Sequence, residues 1–328
     1  MSDFISREDA LSLIRQQPAN EIWQAAAQTS AALRSFRRVN MGTRIINYPV
    51  LGAIPTASFV SGEDANDVTA QKPTTSMKWG NRNLTAEELG GIVVIPENVI
   101  DDASSDFDLW AEVRPRIAEA IGGAIDAAVF FGTNAPASWP DGLVPAAIAA
   151  GNTVTEGDSI PEGAGAANDL AADINATLGM VEEDGFDPAA IFARRSLRPR
   201  VRGLRDSNNS PIYVTSLDQA GRNVPSVYGS TLEYVTNGGW DDSVATLLAG
   251  DPNYAVLGIR QDLTFKFLDQ AAVTIDGTLT SLAEYDLLGL RFKMRVAFQT
   301  AESLTSENPL ASGSGRAYPF AVLVPAGS

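Results

Sequence analysis

The sequence predicts an α+β protein with two lobes, and two patterns indicate this class. Apolar residues recur every three or four positions over 106–131, which is the period of an amphipathic helix. Residues 290–298 instead alternate apolar side chains with mostly basic ones, as a half-buried strand does. We find no internal repeat of fixed period. Helical and strand patterns therefore occupy separate parts of one chain.

The composition shortens the list of possible chemistries. Cysteine and histidine are both absent, which excludes disulfides, Cys-ligated zinc and a Ser-His-Asp arrangement. The formal net charge of −16 argues against a protein that binds DNA to recognise its sequence, because such a surface repels nucleic acid. It does not argue against a container that encloses DNA. We therefore expect no enzyme activity, no cofactor and no metal site.

The chain carries no signal for a membrane or for secretion. No apolar run reaches the roughly 18 residues that a spanning helix needs. Residues 1–9 contain no basic segment leading into an apolar stretch. We expect the protein to stay in the cell that makes it.

The first 95 residues divide into an arm and a set of short strands. Residues 5–36 show helical spacing, and 43–60 read as strands broken by prolines. Residues 61–75 hold almost no large apolar side chain and predict an exposed arm. The chain then looks extended over 74–79 and forms an apolar strand over 89–95.

The clearest element is a helix over residues 106–131. Ser104, Ser105 and Asp106 can cap its start, and Gly132 is a natural stop. At 1.5 Å per residue such a helix would be roughly 39 Å long, which is unusual for a small domain. Pro115 lies inside it and could kink it or shift its start.

The second half begins with a glycine-rich segment and becomes mainly β. Residues 149–168 predict a domain entry or flexible loop, and 169–183 a second helix. A strand over 189–192 leads into an arginine-rich segment. The pattern is β after Tyr254, and a last strand covers 319–324.

The arginine-rich segment, Arg194 to Arg205, has two readings. Nucleic-acid binding is one, but no aromatic side chain is interleaved for base stacking. The other is pairing with acidic groups of this or a neighbouring subunit, and we favour pairing between subunits. Adjacent carboxylates such as Glu182-Glu183 keep a carboxylate-dependent hydrolase as an alternative, although sequence neighbours do not face each other across a cleft.

The order of these segments resembles the Hong Kong 97-type capsid proteins of tailed bacteriophages. The segments that carry the resemblance are Phe59–Glu63, Lys72–Trp79, Leu84–Ser104, Phe130–Asn134, Ala190–Arg198, Leu204–Ile212 and Leu290–Thr300. They resemble, in turn, the two sides of an extended loop, the entry and end of a long spine helix, the axial-domain elements and a returning strand. The match covers roughly residues 40–325, and the ordered set is more specific than any single motif.

The resemblance implies a domain plan. It comprises an N-terminal arm (1–42), an extended loop with flanking strands (43–92), a peripheral domain with the spine helix 106–131 (93–148), an axial domain (149–250) and return strands through both domains (251–328).

The resemblance also implies a function and partners. The protein should assemble in the bacterial host cytoplasm, as pentamers and hexamers, into an icosahedral virion capsid that encloses double-stranded DNA without sequence-specific binding. A separate scaffolding protein and a portal are the expected partners, with decoration proteins as optional ones. An encapsulin-like compartment shell is the alternative within this fold.

The residues expected to contact other subunits lie on the loop and in the arginine-rich segment. They are Glu63, Asp64, Asp67, Lys72, Lys78, Arg82, Arg194, Arg198, Arg202 and Arg205. Some relatives of the family join subunits through a lysine–asparagine isopeptide bond. Lys72 or Lys78 with Asn308 could supply the partners here. An exposed charge is the simpler reading of either lysine, so we expect a non-covalent shell.

Overall fold

The computed structural model describes most of the chain. The described residues are 30–53, 55, 57, 59, 74–75, 77–98, 109–159, 170–204, 216–217, 223–224, 226–275, 277–300 and 317–327. The helices are α1 (Ala31–Ser35), α2 (Leu109–Phe131), α3 (Leu143–Ala150), α4 (Leu170–Glu183) and α5 (Leu197–Arg202). The first eight strands are β1 (Arg37–Asn40), β2 (Ile45–Ala53), β3 (Lys78–Thr85), β4 (Glu87–Pro96), β5 (Thr153–Thr155), β6 (Ala190–Arg194), β7 (Ser216–Leu217) and β8 (Asn223–Val224). The others are β9 (Ser226–Val227), β10 (Ser230–Val235), β11 (Leu247–Gly250), β12 (Ala255–Leu268), β13 (Ala272–Ile275), β14 (Thr278–Ser281), β15 (Leu287–Thr300) and β16 (Phe320–Val324).

Two larger sheets organise these strands. One has four strands in the order β1-β12-β15-β4, and the other has six in the order β5-β16-β11-β6-β10-β9. Three two-stranded sheets, β2-β3, β7-β8 and β13-β14, complete the described part. The α+β class predicted from the sequence is confirmed.

The long helix α2 packs one apolar stripe into the main core. Ile117, Ile121, Ile125 and Val129 are buried at helical spacing. They share a cluster with side chains of both larger sheets, such as Met294 of β15. The helix continues through Pro115, and the start predicted at residue 106 lies outside the described residues. In the described part no helix is both long and apolar enough to cross a membrane.

A second core lies under α4 and α5 on the other face of the six-stranded sheet. Ile174 and Leu178 of α4 join Leu197 and Val201 of α5 against strands such as β6. The sheet is therefore covered on both faces, and its strands read as short apolar runs, as in β11 and β16.

The structure contains several elements that the sequence did not predict. Residues 37–40, for which no element was predicted, form β1 because they pair in parallel with β12, and Leu33 of α1 is buried in the main core. Residues 153–155, predicted as loop, form β5 because they pair with β16. Helix α3 was not predicted. The rest of the predicted helical arm, residues 5–29, lies outside the described residues.

Candidate subunit-contact sites

In the described part of the chain, the hairpin formed by β2 and β3 contacts the rest of the subunit near its base. Leu84 is fully buried and packs beside Met41 and Ala297. Towards its far end the side chains are exposed, and Trp79 reaches 66% exposure. Phe59, beyond the end of β2, is fully exposed. A two-stranded sheet is marginal by itself, so the outer part of this hairpin gains little from its own subunit.

Polar bonds fix the base of the hairpin. The Arg44 guanidinium pairs with Glu87 at 3.0 Å, and the Ser138 hydroxyl donates to the same carboxylate at 2.9 Å. These hydrogen bonds, first that of Ser138, lower the pKa of Glu87. The Trp139 indole N–H donates to the Thr85 carbonyl at 3.2 Å. These contacts hold the base of the hairpin, which we also call its root, and they do not reach its far end.

The predicted loop contacts are only partly described. Glu63, Asp64, Asp67 and Lys72 lie outside the described residues. Lys78 begins β3, where its backbone pairs with Ala53. Arg82 lies opposite Tyr48 in the same hairpin and is half-buried. Their role in subunit contacts stays a prediction.

A row of cations covers the outer face of the four-stranded sheet. Arg291, Lys293 and Arg295 alternate with the buried side chains of β15. Lys266 of β12 lies directly opposite Arg291, which is an unfavourable arrangement of like charges. Glu88 of β4 approaches Lys293 at 4.0 Å. We call these four cations the basic row.

The arginine-rich segment divides into paired and unpaired side chains. Arg194 pairs with Asp242 at 3.0 Å, and Arg200 pairs with Glu156. Arg195, Arg198 and Arg202 are exposed and make no ion pair within the described residues. The structure thus gives Arg194 a partner in its own chain, while Arg198 and Arg202 point outward beside the buried Leu197 and Val201. Arg205 lies outside the described residues.

A buried carboxylate joins three parts of the fold. Asp126, on the inner side of α2, is 0% exposed. It accepts hydrogen bonds from the Ser30 hydroxyl at 2.6 Å and from the Ala31 and Ala32 N–H groups at 2.9 and 3.1 Å. The Asn237 amide donates to it at 2.7 Å. Burial raises the pKa of this carboxyl against the effect of these four bonds. Asp126 therefore fastens the start of α1 and the loop after β10 to the long helix.

Sequence reasoning missed Asp126 because it looked for carboxylates that were neighbours in the sequence. The signal was one aspartate inside the apolar stretch from Ile121 to Phe131. A charge in that position needs several hydrogen-bond donors, since few carboxylates are buried without partners. In the described part of the chain no group of acidic side chains is arranged to hold a metal ion.

Comparison with known proteins identifies the family. A model of the phage capsid family matches residues 12–303. The chain belongs to this family. Over 238 residues it is 26% identical to the curated major capsid protein of Staphylococcus phage 80alpha, an alignment that spans 70% of this chain and 65% of that protein.

Solved structures from phages match nearly the whole chain. A chain of Microbacterium phage Oxtober96 is 44% identical, with a TM-score of 0.74 and coverage of 98% of this chain and 99% of that one. A chain of Mycobacterium phage Cain is 33% identical, with a TM-score of 0.77 and full coverage of both. The fold is also that of a chain in the capsid of a native GTA particle (15% identity, TM-score 0.61, 90% of each chain).

These similarities confirm the resemblance to phage capsid proteins that the sequence predicted. They support a structural subunit that oligomerises into the head shell and resides in the virion capsid. The surfaces available for that role, in the described part, are the β2-β3 hairpin, the basic row and the arginines beside α5.

Proposed function

We propose that this phage capsid protein has the Hong Kong 97-type fold and builds an icosahedral head shell through pentamers and hexamers. The observation that carries the proposal is the β2-β3 hairpin, with a rigid root at Leu84 and exposed apolar side chains such as Trp79 farther out. Exposed aromatic side chains of this kind mark protein contact surfaces. A neighbouring subunit would cover them.

The domain plan fits the two larger sheets. We assign residues 1–42 to the N-terminal arm, 43–92 to the extended loop and its strands, and 93–148 to the peripheral domain. Residues 149–250 would form the axial domain, and 251–328 would return through both. The pairing of β15 with both β12 and β4, and of β16 with β11, supports this return. Strand β4 runs across residue 92, so the loop and peripheral parts share a strand.

Charge complementarity suggests what the loop contacts. Glu63, Asp64 and Asp67 make the sequence between β2 and β3 acidic. The basic row has four cations but only two carboxylates near it in the described part of the chain, Glu88 beside Lys293 and Glu87 near Arg295. We propose that the acidic loop of one subunit lies over the basic row of a neighbour. Lys72, Lys78 and Arg82 would make further contacts at the same boundary.

The partners follow from this role. We propose that a scaffolding protein guides assembly in the bacterial host cytoplasm and that a portal occupies one vertex. Decoration proteins would bind the outer surface in a phage that encodes them. The shell would enclose double-stranded DNA without reading its sequence, since the net charge of −16 disfavours tight binding. The role is structural and not enzymatic.

Electron microscopy of the protein coexpressed with its scaffolding protein tests the proposal. Closed shells with five-fold vertices are expected. A subunit that stays a stable monomer at high concentration under many conditions would contradict it. Trp79→Ser should lower the shell yield, whereas Thr280→Ser, on the separate β13-β14 hairpin, serves as a control with the same assay.

A further inference from the structure

The six-stranded sheet has opposite charges at its two ends. Helix α4 ends at Glu183 and β6 begins at Ala190, so the end of α4 lies where β6 starts. Helix α5 begins at Leu197, just after β6 ends at Arg194. The five residues of β6 alone separate the two ends by roughly 13 Å, at about 3.3 Å per residue.

The end at α5 carries five arginines together with Glu156, Asp241 and Asp242, and two of the arginines, Arg194 and Arg200, are paired there. We call the other three, Arg195, Arg198 and Arg202, the arginine edge. All three are exposed and make no ion pair within the described residues. Arg198 and Arg202 are four residues apart, so they lie side by side and repel each other. Leu197 and Val201 are buried directly beside them, which holds the helix in place. The edge is therefore a fixed positive surface.

The end at α4 is acidic, and we call Glu182, Glu183 and Asp187 the acidic edge. They are exposed, and none forms an ion pair in the described part of the chain. The backbone that carries them is fixed. Asp184 accepts hydrogen bonds from the Asn152 amide at 2.8 Å and the Tyr318 N–H at 2.9 Å, and Phe186 is buried.

We propose that the arginine edge of one subunit binds the acidic edge of the next copy around a ring. The inference rests on the proposed function, because it requires subunits that meet in rings. Two surfaces at opposite ends of one domain can pair only head to tail, and a head-to-tail contact closes into a ring when its rotation allows. A two-fold contact at either surface would place like charges together.

This contact would also offset the electrostatic repulsion between whole subunits. Copies that each carry a net charge of −16 repel one another at long range. A boundary where three arginines meet three carboxylates is locally attractive and sets the orientation of the approaching copy. The paired Arg194 and Arg200 are already neutralised by Asp242 and Glu156 of their own chain, so they are not part of it.

Charge reversal at each edge, and at both together, tests the proposal. Arg198→Glu with Arg202→Glu should lower the shell yield about tenfold or more, because the same contact repeats at each subunit boundary of a ring. Glu182→Arg with Glu183→Arg should do the same. The variant with all four changes restores charge complementarity between the two edges. Its net charge equals that of the wild type, because the two Arg→Glu changes subtract four charges and the two Glu→Arg changes add four. Its shell yield should therefore return close to that of the wild type.

The controls separate this contact from folding and from the proposed function. All three variants should unfold at the wild-type urea midpoint before assembly, because the altered side chains are exposed. The milder Glu182→Gln with Glu183→Gln should give an intermediate yield.

Two outcomes would contradict the contact between the edges. In one, the wild type forms shells but the four-site variant does not recover; in the other, both two-site variants give normal shell yields. Normal shells that package less DNA when Arg198 and Arg202 are reversed would overturn it in favour of nucleic-acid binding. Failure of the wild-type protein to form any shell would instead refute the proposed function.

Discussion

Replacing Asp126 with alanine should loosen the start of α1 and destabilise the subunit. Four donors, the Ser30 hydroxyl, the Ala31 and Ala32 N–H groups and the Asn237 amide, would lose a buried acceptor. Each buried unsatisfied donor costs about 1–3 kcal/mol. Removing a buried carboxylate returns several kcal/mol of desolvation free energy. The net loss in the free energy of unfolding should be about 2–4 kcal/mol.

The pH dependence of the matched variant Asp126→Asn gives an independent check. Burial raises the pKa of Asp126 above its ordinary value of 3.8, so the folded chain binds the proton more tightly than the unfolded chain. Stability from this group is then full below 3.8 and falls as the pH rises through the raised folded pKa. Asparagine does not titrate. The advantage of the wild type over Asp126→Asn should therefore shrink as the pH rises through that interval.

Urea unfolding of unassembled subunits, followed by tryptophan fluorescence at several pH values, measures both effects. Asp141→Asn is a suitable control because it removes a carboxylate that is exposed and lies outside the Asp126 hydrogen-bond group. An Asp126→Ala midpoint equal to that of the wild type would refute the anchoring role. A gap between wild type and Asp126→Asn that widens with rising pH would refute the effect of burial on the pKa.

Three further results are expected. Leu84→Ala should lower the free energy of unfolding by about 2–5 kcal/mol, because it empties a buried position at the hairpin base. The exposed Asn83→Ala should change it little. Equal urea midpoints for the two variants would show that Leu84 does not hold the hairpin base. Proteolysis within residues 56–82 should be fast in free subunits and slow in shells, because a neighbour covers the hairpin only after assembly; equal rates in both states would contradict that covering. Mature particles boiled in detergent should run as one band at the monomer mass, because neither loop lysine is expected to lose its charge; a covalent ladder lost on Lys72→Ala or Lys78→Ala would show that subunits are cross-linked.

The sequence predicted those elements whose periodicity matches their environment. Helix α2 has one apolar stripe, and β15 alternates because one face packs on the core while the other carries the basic row. Strand β1 was missed because its sequence, Arg37–Asn40, is polar, and only its pairing with β12 makes it a strand. The short apolar β11 was missed because four buried residues fit a helix or a strand equally well.

The candidate sites were predictable as segments but not as pairs. Arginines crowded between residues 194 and 205 are visible in the sequence. That Arg194 meets Asp242 while Arg198 remains unpaired in the described part depends on how β6 and α5 are placed. Asp126 was not foreseen, since its donors at Ser30 and Asn237 are distant in sequence and meet only in the folded chain.

Strand β16 enters the middle of the six-stranded sheet, between β5 and β11. Thr153 pairs with Val322. During translation, β5 is therefore synthesised long before its partner β16. Until Phe320–Val324 arrive, β5 has no partner in this sheet, and β11 keeps one open edge. Open edges invite pairing with other chains. A chain that lacks these residues therefore exposes strand edges that the finished chain covers, and it differs from the finished chain in its tendency to pair with other chains.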